Sequence, residues 1–389
     1  MRLYDVDDEV RLRLGGAVRG WRKSGLLSVA QERALDTDLA TPLRRAGPML
    51  RLGLALFTVI AGGAGVGLVF LLTDLSSEVA VAVTTAALGA AALGAATLIV
   101  RRFGLYRHGV EEALAVSAVG MFGFSAGLLS AEVFSTASGG GTWFSAMAAV
   151  ALGAAHVHRR FGFQYAAVGA LYAAALLPMS FSALGADGKR LFAALVCVGA
   201  FVYATGRRQQ AADDVAGADA EVLRAAAAAG VYLALNVHLL TEPFGRSADG
   251  WFRWATWVVI WLLPFVVGRV AVVERDPLLL RAAVAAGLAT LVTNKPYLGW
   301  PREPWDPMLF GVVLVGAALA LRRWLAAGEA GERRGFTARQ LVDSEDAALQ
   351  FASVASVAAQ PAAVRDIPEP DQPTFSGGRS GGAGAGGEF

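Results

Sequence analysis

Cysteine is almost missing from this sequence. Cys197 is the single one in 389 residues, which excludes an internal disulfide and any thiol cluster for a metal. It lies in an apolar run and reads as a small buried hydrophobe. Histidine is scarce too, with four residues. His156 and His158 stand two apart, which sets their rings on nearly opposite faces of a helix, whereas helical zinc ligands stand four apart. Walker, GxSxG, HExxH and CxxC signatures are all missing. The sequence therefore assigns no catalytic residue, no metal ligand and no cofactor. The opening MRLYDVDDEV carries four acids and no apolar core, which argues against a cleaved signal peptide.

Charge is the next shortage. Charged residues make up 17% of the chain against 55% hydrophobic, and the mean hydropathy of +0.50 exceeds that of a soluble domain. A net charge of +2 with dispersed basic residues excludes a nucleic-acid surface. What the chain has in abundance is long apolar runs. A helix needs roughly 20 apolar residues to cross the hydrocarbon core. Runs at 50–72, 79–100, 113–131, 142–157, 161–184, 191–205, 223–240, 251–273, 278–293 and 308–321 predict an all-α, polytopic membrane bundle of about ten helices. The runs at 142–157, 191–205, 278–293 and 308–321 are short, so the count lies between eight and ten.

Loop charge gives the orientation, because cytoplasmic loops concentrate Lys and Arg. With ten spans and an inside start, 28 of the 34 basic residues fall inside and six outside, Lys189, Arg190, Arg246, Arg253, Lys295 and Arg302. Both termini are therefore expected in the cytoplasm, as in a multi-pass inner-membrane protein, with membrane lipids as its surroundings. Trp143, Trp251, Trp254, Trp300 and Trp305 fall at the opposite boundaries, where indole settles among headgroups. Trp251, Trp254, Trp300 and Trp305 form a candidate outer aromatic rim. It reads first as an interfacial belt and second as a ligand platform.

The chain organises into a cytoplasmic helical hairpin (1–49), the transmembrane bundle (50–321), a juxtamembrane segment with an amphipathic helix (322–360) and a Pro/Gly-rich tail (361–389). In the hairpin, a first helix over 5–18 and a turn at Gly25-Leu26-Leu27 lead to Ser28, which with Gln31 makes a capping box. So short a segment lacks a core of its own and is expected to dock on the membrane face or on a partner. A second capping box, Thr337 with Gln340 and stapled by Phe336 and Leu341, predicts a helix to about Ala359. The Gly-rich end is too poor in apolar surface to fold and is an alternative recognition tag. Hairpin and tail are the two candidate surfaces for a protein partner.

The string from Trp21 to Glu32, WRKSGLLSVAQE, resembles the opening of bacterial membrane proteins grouped as domain of unknown function 2157. In that group a Trp, a Gly-hydrophobic-Ser turn and a Gln-containing helix precede many spans. The resemblance covers about the first 50 residues and implies a bacterial membrane protein without an assigned activity.

Within the spans, Gly63 and Gly67, and Ala86, Ala90 and Gly94, have the small-residue spacing that allows close helix packing. Ionisable groups are better functional pointers, being costly in lipid. Glu111, Glu112 and Glu132 bracket the third span near water. Asn236, His238 and Glu242 form a candidate intramembrane polar site, with His238 and Glu242 on one helix face able to relay protons. Pro178, in LLPMSF, predicts a broken helix.

Three function classes fit. The first is a binding, sensing or scaffolding membrane protein that reaches partners through its soluble ends. The second is a transporter of a small or lipidic solute, supported by the broken helix and opposed by the lack of a half-to-half repeat. The third, an envelope enzyme acting on lipid-linked sugars, has the least support because the outer loops are short. The topology has a direct test. A reporter fused after Leu321 is expected to be active only in its cytoplasmic form, and activity of a periplasmic reporter there contradicts it.

Overall fold

The structure, a computed structural model, describes residues 2–23, 25–73, 76–133, 140–210, 214–244, 250–301, 303–328, 332–333 and 336–337. In chain order its helices are α1 (Val6–Lys23), α2 (Val29–Asp38), α3 (Pro48–Leu72), α4 (Glu78–Phe103), α5 (Val110–Val133), α6 (Gly140–Phe161) and α7 (Gln164–Leu176). There follow α8 (Ala186–Gln210), α9 (Asp214–Leu235), the single turn α10 (Thr241–Phe244), α11 (Trp251–Glu274), α12 (Pro277–Leu298) and α13 (Asp306–Ala326). Only a two-residue antiparallel pair, β1 (Glu332–Arg333) with β2 (Phe336–Thr337), departs from the all-helical pattern among the described residues.

Seven helices, α3, α4, α5, α8, α11, α12 and α13, are long and apolar enough to cross a membrane. The other three expected intervals also hold helices, of weaker character. α6 ends in His156, His158, Arg159 and Arg160. α7 has 13 residues before Pro178 turns it into a 3-10 segment, Leu177–Ser180. The first half of α9 carries Asp219, Glu221 and Arg224.

Local chemistry sets the boundaries. Ser28 accepts from the Gln31 amide while Gln31 answers the Ser28 amide, the expected capping box, and α2 follows. Ser77 caps α4 and Asp276 caps α12, each through a side-chain oxygen on a first-turn amide. The left-handed Gly104 and Gly299 end α4 and α12.

Consecutive helices pack as hairpins, most extensively α4 on α5, α5 on α6, α8 on α9 and α11 on α12. Glycine admits the close approaches. A Cβ on Gly89 of α4 would lie 3.2 Å from Met121 of α5, and one on Gly230 of α9 would lie 2.6 Å from the Cys197 sulfur of α8. Cys197 is buried there, as its apolar run implied. Gly63, Gly67 and Gly94, by contrast, meet nothing within 4 Å. Gly63 and Gly67 mark no helix contact because the apolar stretch of α3 buries nothing within the protein, and Gly94 lies on an exposed face of α4.

Several charges lie elsewhere than their loops suggested. Arg190 and Arg253 belong to α8 and α11, and Arg190 and Arg224 are fully buried. Glu111 and Glu112 are buried rather than water-accessible. Glu111 accepts the His108 amide at 2.6 Å, and Glu112 takes a two-pronged grip from Arg51. Thr337 ends β2, and the rest of the predicted tail helix, the 361–389 tail, Arg246 and Arg302 lie outside the described residues.

The Arg51–Glu112 pair joins α3 to α5, and Gly109 admits the close approach of the two backbones beside it. That residue has φ +104°, and a Cβ there would strike the Arg51 backbone oxygen. Gly109→Ala is expected to destabilise the α3–α5 contact by about 1–3 kcal/mol. Thermal unfolding in detergent, with Gly120→Ala as the unhindered control, checks this.

Candidate functional site

The polar residues singled out in the apolar sequence converge at the end of the bundle where α9 and α12 finish and α8 and α11 begin. α9 stops at Leu235, and the chain continues through an irregular turn to α10. The stop releases backbone carbonyls inside the protein, where each needs a donor. Arg190 supplies them. Its Nη1 donates to the carbonyls of Ala234 at 3.1 Å and Asn236 at 3.3 Å, and its Nη2 to that of Leu240 at 2.7 Å. The guanidinium also lies over the Phe244 ring, 5.0 Å from its centroid. A cation at a helix C-terminus is also favoured by the helix dipole.

Asn236, fully buried, ties this break to α12. Its amide nitrogen donates to Tyr232 at 3.0 Å and to Thr293 at 2.9 Å, and its oxygen accepts the His238 amide at 3.1 Å. Tyr232 meets Thr290 at 2.9 Å. Tyr297 accepts the Val237 amide at 2.9 Å and stacks edge-on against His238. Arg253 closes the rim by donating to the carbonyls of Pro296 and Tyr297. The chemistry of this cluster is that of a clamp, because its donors and acceptors are used on one another.

His238 and Glu242 are not on one helix face. The helix ends three residues before His238 and a new one starts at Thr241, so the spacing expected to join them does not operate. The Glu242 side chain lies outside the described residues. Trp251, Trp254, Trp300 and Trp305 are all exposed at this same end. Trp257 and Trp261 instead turn inward, both donating to the Asn294 side-chain oxygen, and Lys295 sits over Trp305 while paired with Asp306. Below the break, an apolar cavity of about 170 Å3 is lined by Tyr172, Cys197, Leu240 and Phe244 among others.

The opposite, basic end holds a second constellation, built around the N-terminal hairpin. The Leu3 amide donates to the Arg160 carbonyl at 2.8 Å. Arg2 bridges Glu9 of α1 and Asp219 of α9, and Gln164 of α7 donates to the other Asp219 oxygen at 3.1 Å. Burial pushes the Glu9 carboxyl above the usual carboxylate range, with Arg2 drawing it back down. Tyr4 is buried edge-on against Tyr106, and burial raises its phenol well above the ordinary value. The linker after α2 is held as well, by Arg44 exchanging backbone hydrogen bonds with Gly104 and Tyr106. Between α1, α6, α8 and α9 lies a cavity of about 700 Å3 lined by Arg2, His158, Arg159, Tyr203, Arg207 and Asp219 among others. Beside it, Arg208 and the buried Arg224 share Glu274 and Asp276, joining α8 and α9 to the α11–α12 turn.

Arg190, Tyr232, Thr290, Thr293 and Tyr297 were not recognised from sequence. A signal existed for three of them. Thr290, Thr293 and Tyr297 stand at intervals of three and four in a largely apolar helix, a polar stripe at helical spacing. Arg190→Met is expected to destabilise the bundle by on the order of 3 kcal/mol, since each buried carbonyl left without a donor costs about 1–3 kcal/mol before relaxation. Arg253→Met, on a half-buried residue, is expected to cost less. Unfolding of both variants in detergent checks the order. No family model, no curated protein and no solved structure matches the chain.

Proposed function

We propose that the protein is a ten-span bacterial inner-membrane protein with both ends in the cytoplasm, whose role is binding, sensing or scaffolding rather than catalysis. A helix in every expected apolar interval, the bias of loop charge and the exposed tryptophans at one end support the topology. The observation that carries the role is the docking of the N-terminal hairpin. Arg2, Glu9 and Asp219 hold it against the bundle beside an open basic cavity. A soluble element held by ion pairs and by the buried Tyr4 beside a cavity is suited to reporting what occupies that cavity, or to presenting its outer face to a protein partner.

A transporter of a small or lipidic solute is the second reading, and the break in α9 above an apolar cavity favours it. The carbonyls exposed by the break are already committed to Arg190, which supports a fixed joint over a solute site.

A crosslinking experiment tests the docked state. In the full chain reconstituted in nanodiscs, Leu3→Cys with Arg160→Cys is expected to be joined by a short bismaleimide. Adding Arg2→Ala and Asp219→Asn is expected to cut the yield about tenfold, the equivalent of one charge-assisted hydrogen bond. An uncrosslinked parent, or a yield indifferent to these changes, contradicts the docked hairpin.

A further inference from the structure

We infer that the cavity between α1, α6, α8 and α9 is an anion site that takes a phosphate group, carried by an anionic phospholipid or free in solution. The inference rests on the docked hairpin, because Arg2 forms part of the wall. Three guanidinium groups, from Arg2, Arg159 and Arg207, line the cavity against one carboxylate, Asp219. That carboxylate is committed on both oxygens, to Arg2 and to Gln164. Arg159 and Arg207 are exposed and have no ion pair among the described residues.

The contrast with the neighbouring residue is informative. Arg208 is matched by Glu221, Glu274 and Asp276, so carboxylates are plentiful one residue away, and none of those described is paired with Arg207. Two guanidinium groups around one space, without a carboxylate partner among the described residues, make a region of positive potential that favours an anion. Their planar forks suit phosphate oxygens, which accept paired, charge-assisted hydrogen bonds. The volume, about 700 Å3, is within the range of about 300–1,000 Å3 common for small-ligand sites.

Its position also suits a lipid. The cavity lies where α8 passes from apolar to basic, and Leu195, Val198 and Val202 lie exposed along that helix with Tyr203 at the cavity itself. Acyl chains can follow that face while the headgroup reaches the arginines. Basic pockets between helices at the cytoplasmic surface recognise headgroups in this way.

Thermal unfolding of the full chain in nanodiscs tests the site. Nanodiscs of phosphatidylcholine alone are compared with nanodiscs that also contain phosphatidylglycerol, and with phosphatidylcholine nanodiscs titrated with inorganic phosphate at constant ionic strength. A rise in Tm with phosphatidylglycerol only assigns the phosphate to a lipid headgroup; a rise with inorganic phosphate assigns it to a free ligand. In either case R159Q/R207Q is expected to weaken the anion's apparent affinity at least about tenfold. The control R101Q/R102Q removes as much charge from the exposed end of α4 and is expected to keep the effect. No Tm rise in the parent, or a rise that survives R159Q/R207Q, overturns the site. The Leu3–Arg160 crosslink separates the two claims. A crosslink in the parent without an anion effect refutes the anion site alone, whereas loss of the crosslink refutes the docking beneath it.

Discussion

A helix that stops inside an apolar bundle leaves carbonyls with no water to receive them, and the structure around α9 is organised by that constraint. Leu235 is the last helical residue, and the following turn is covered by α8, α11 and α12. One guanidinium, that of Arg190, reaches the stranded carbonyls from the first turns of α8. Asn236 and Tyr297 then pass the connection to α12, and Arg253 passes it to α11. Four helices that apolar packing alone would leave free to slide are thereby held in one register, because a hydrogen bond, unlike an apolar contact, has a fixed length and direction.

The other end of the same helix is governed by charge. Asp219 sits near the start of α9 and receives the hairpin through Arg2. Arg224, five residues further on, is buried against Glu274 and Asp276 at the turn between α11 and α12. α9 therefore joins the N-terminal hairpin, the basic cavity and the polar clamp along one rigid rod. The outermost helices, α3 and α13, bury none of their apolar stretches. In lipid that carries no penalty, since the acyl chains are as apolar as the residues they cover.

Much of the helical layout was legible because apolar runs and caps are local signals. The Ser28–Gln31 capping box, the end of α7 before Pro178 and the burial of Cys197 are all written within a few residues of where they act. What was not legible acts across the chain. Arg2 and Asp219 are 217 residues apart. Arg190 and Leu240, 50 apart, look from sequence like a loop charge and a span end. Linear proximity to an apolar run cannot tell an arginine facing water from one turned inward onto a neighbouring helix's carbonyls. Asn236 was visible as a polar residue in an apolar run, but its helix was expected to continue to Leu240. The spacing argument that joined His238 to Glu242 failed with that continuation.

The central claim is that the break in α9 is a fixed joint whose buried backbone and side-chain groups are satisfied by protein donors and acceptors. Amide hydrogen exchange of the full chain in nanodiscs, resolved at Val237 and His238, tests it most directly. The Val237 amide donates to Tyr297 and the His238 amide to Asn236. Both are expected to exchange as slowly as the amides in the middle of α9. Exchange at the rate of an open loop would contradict the joint and return the break to a water-filled, solute-accessible state.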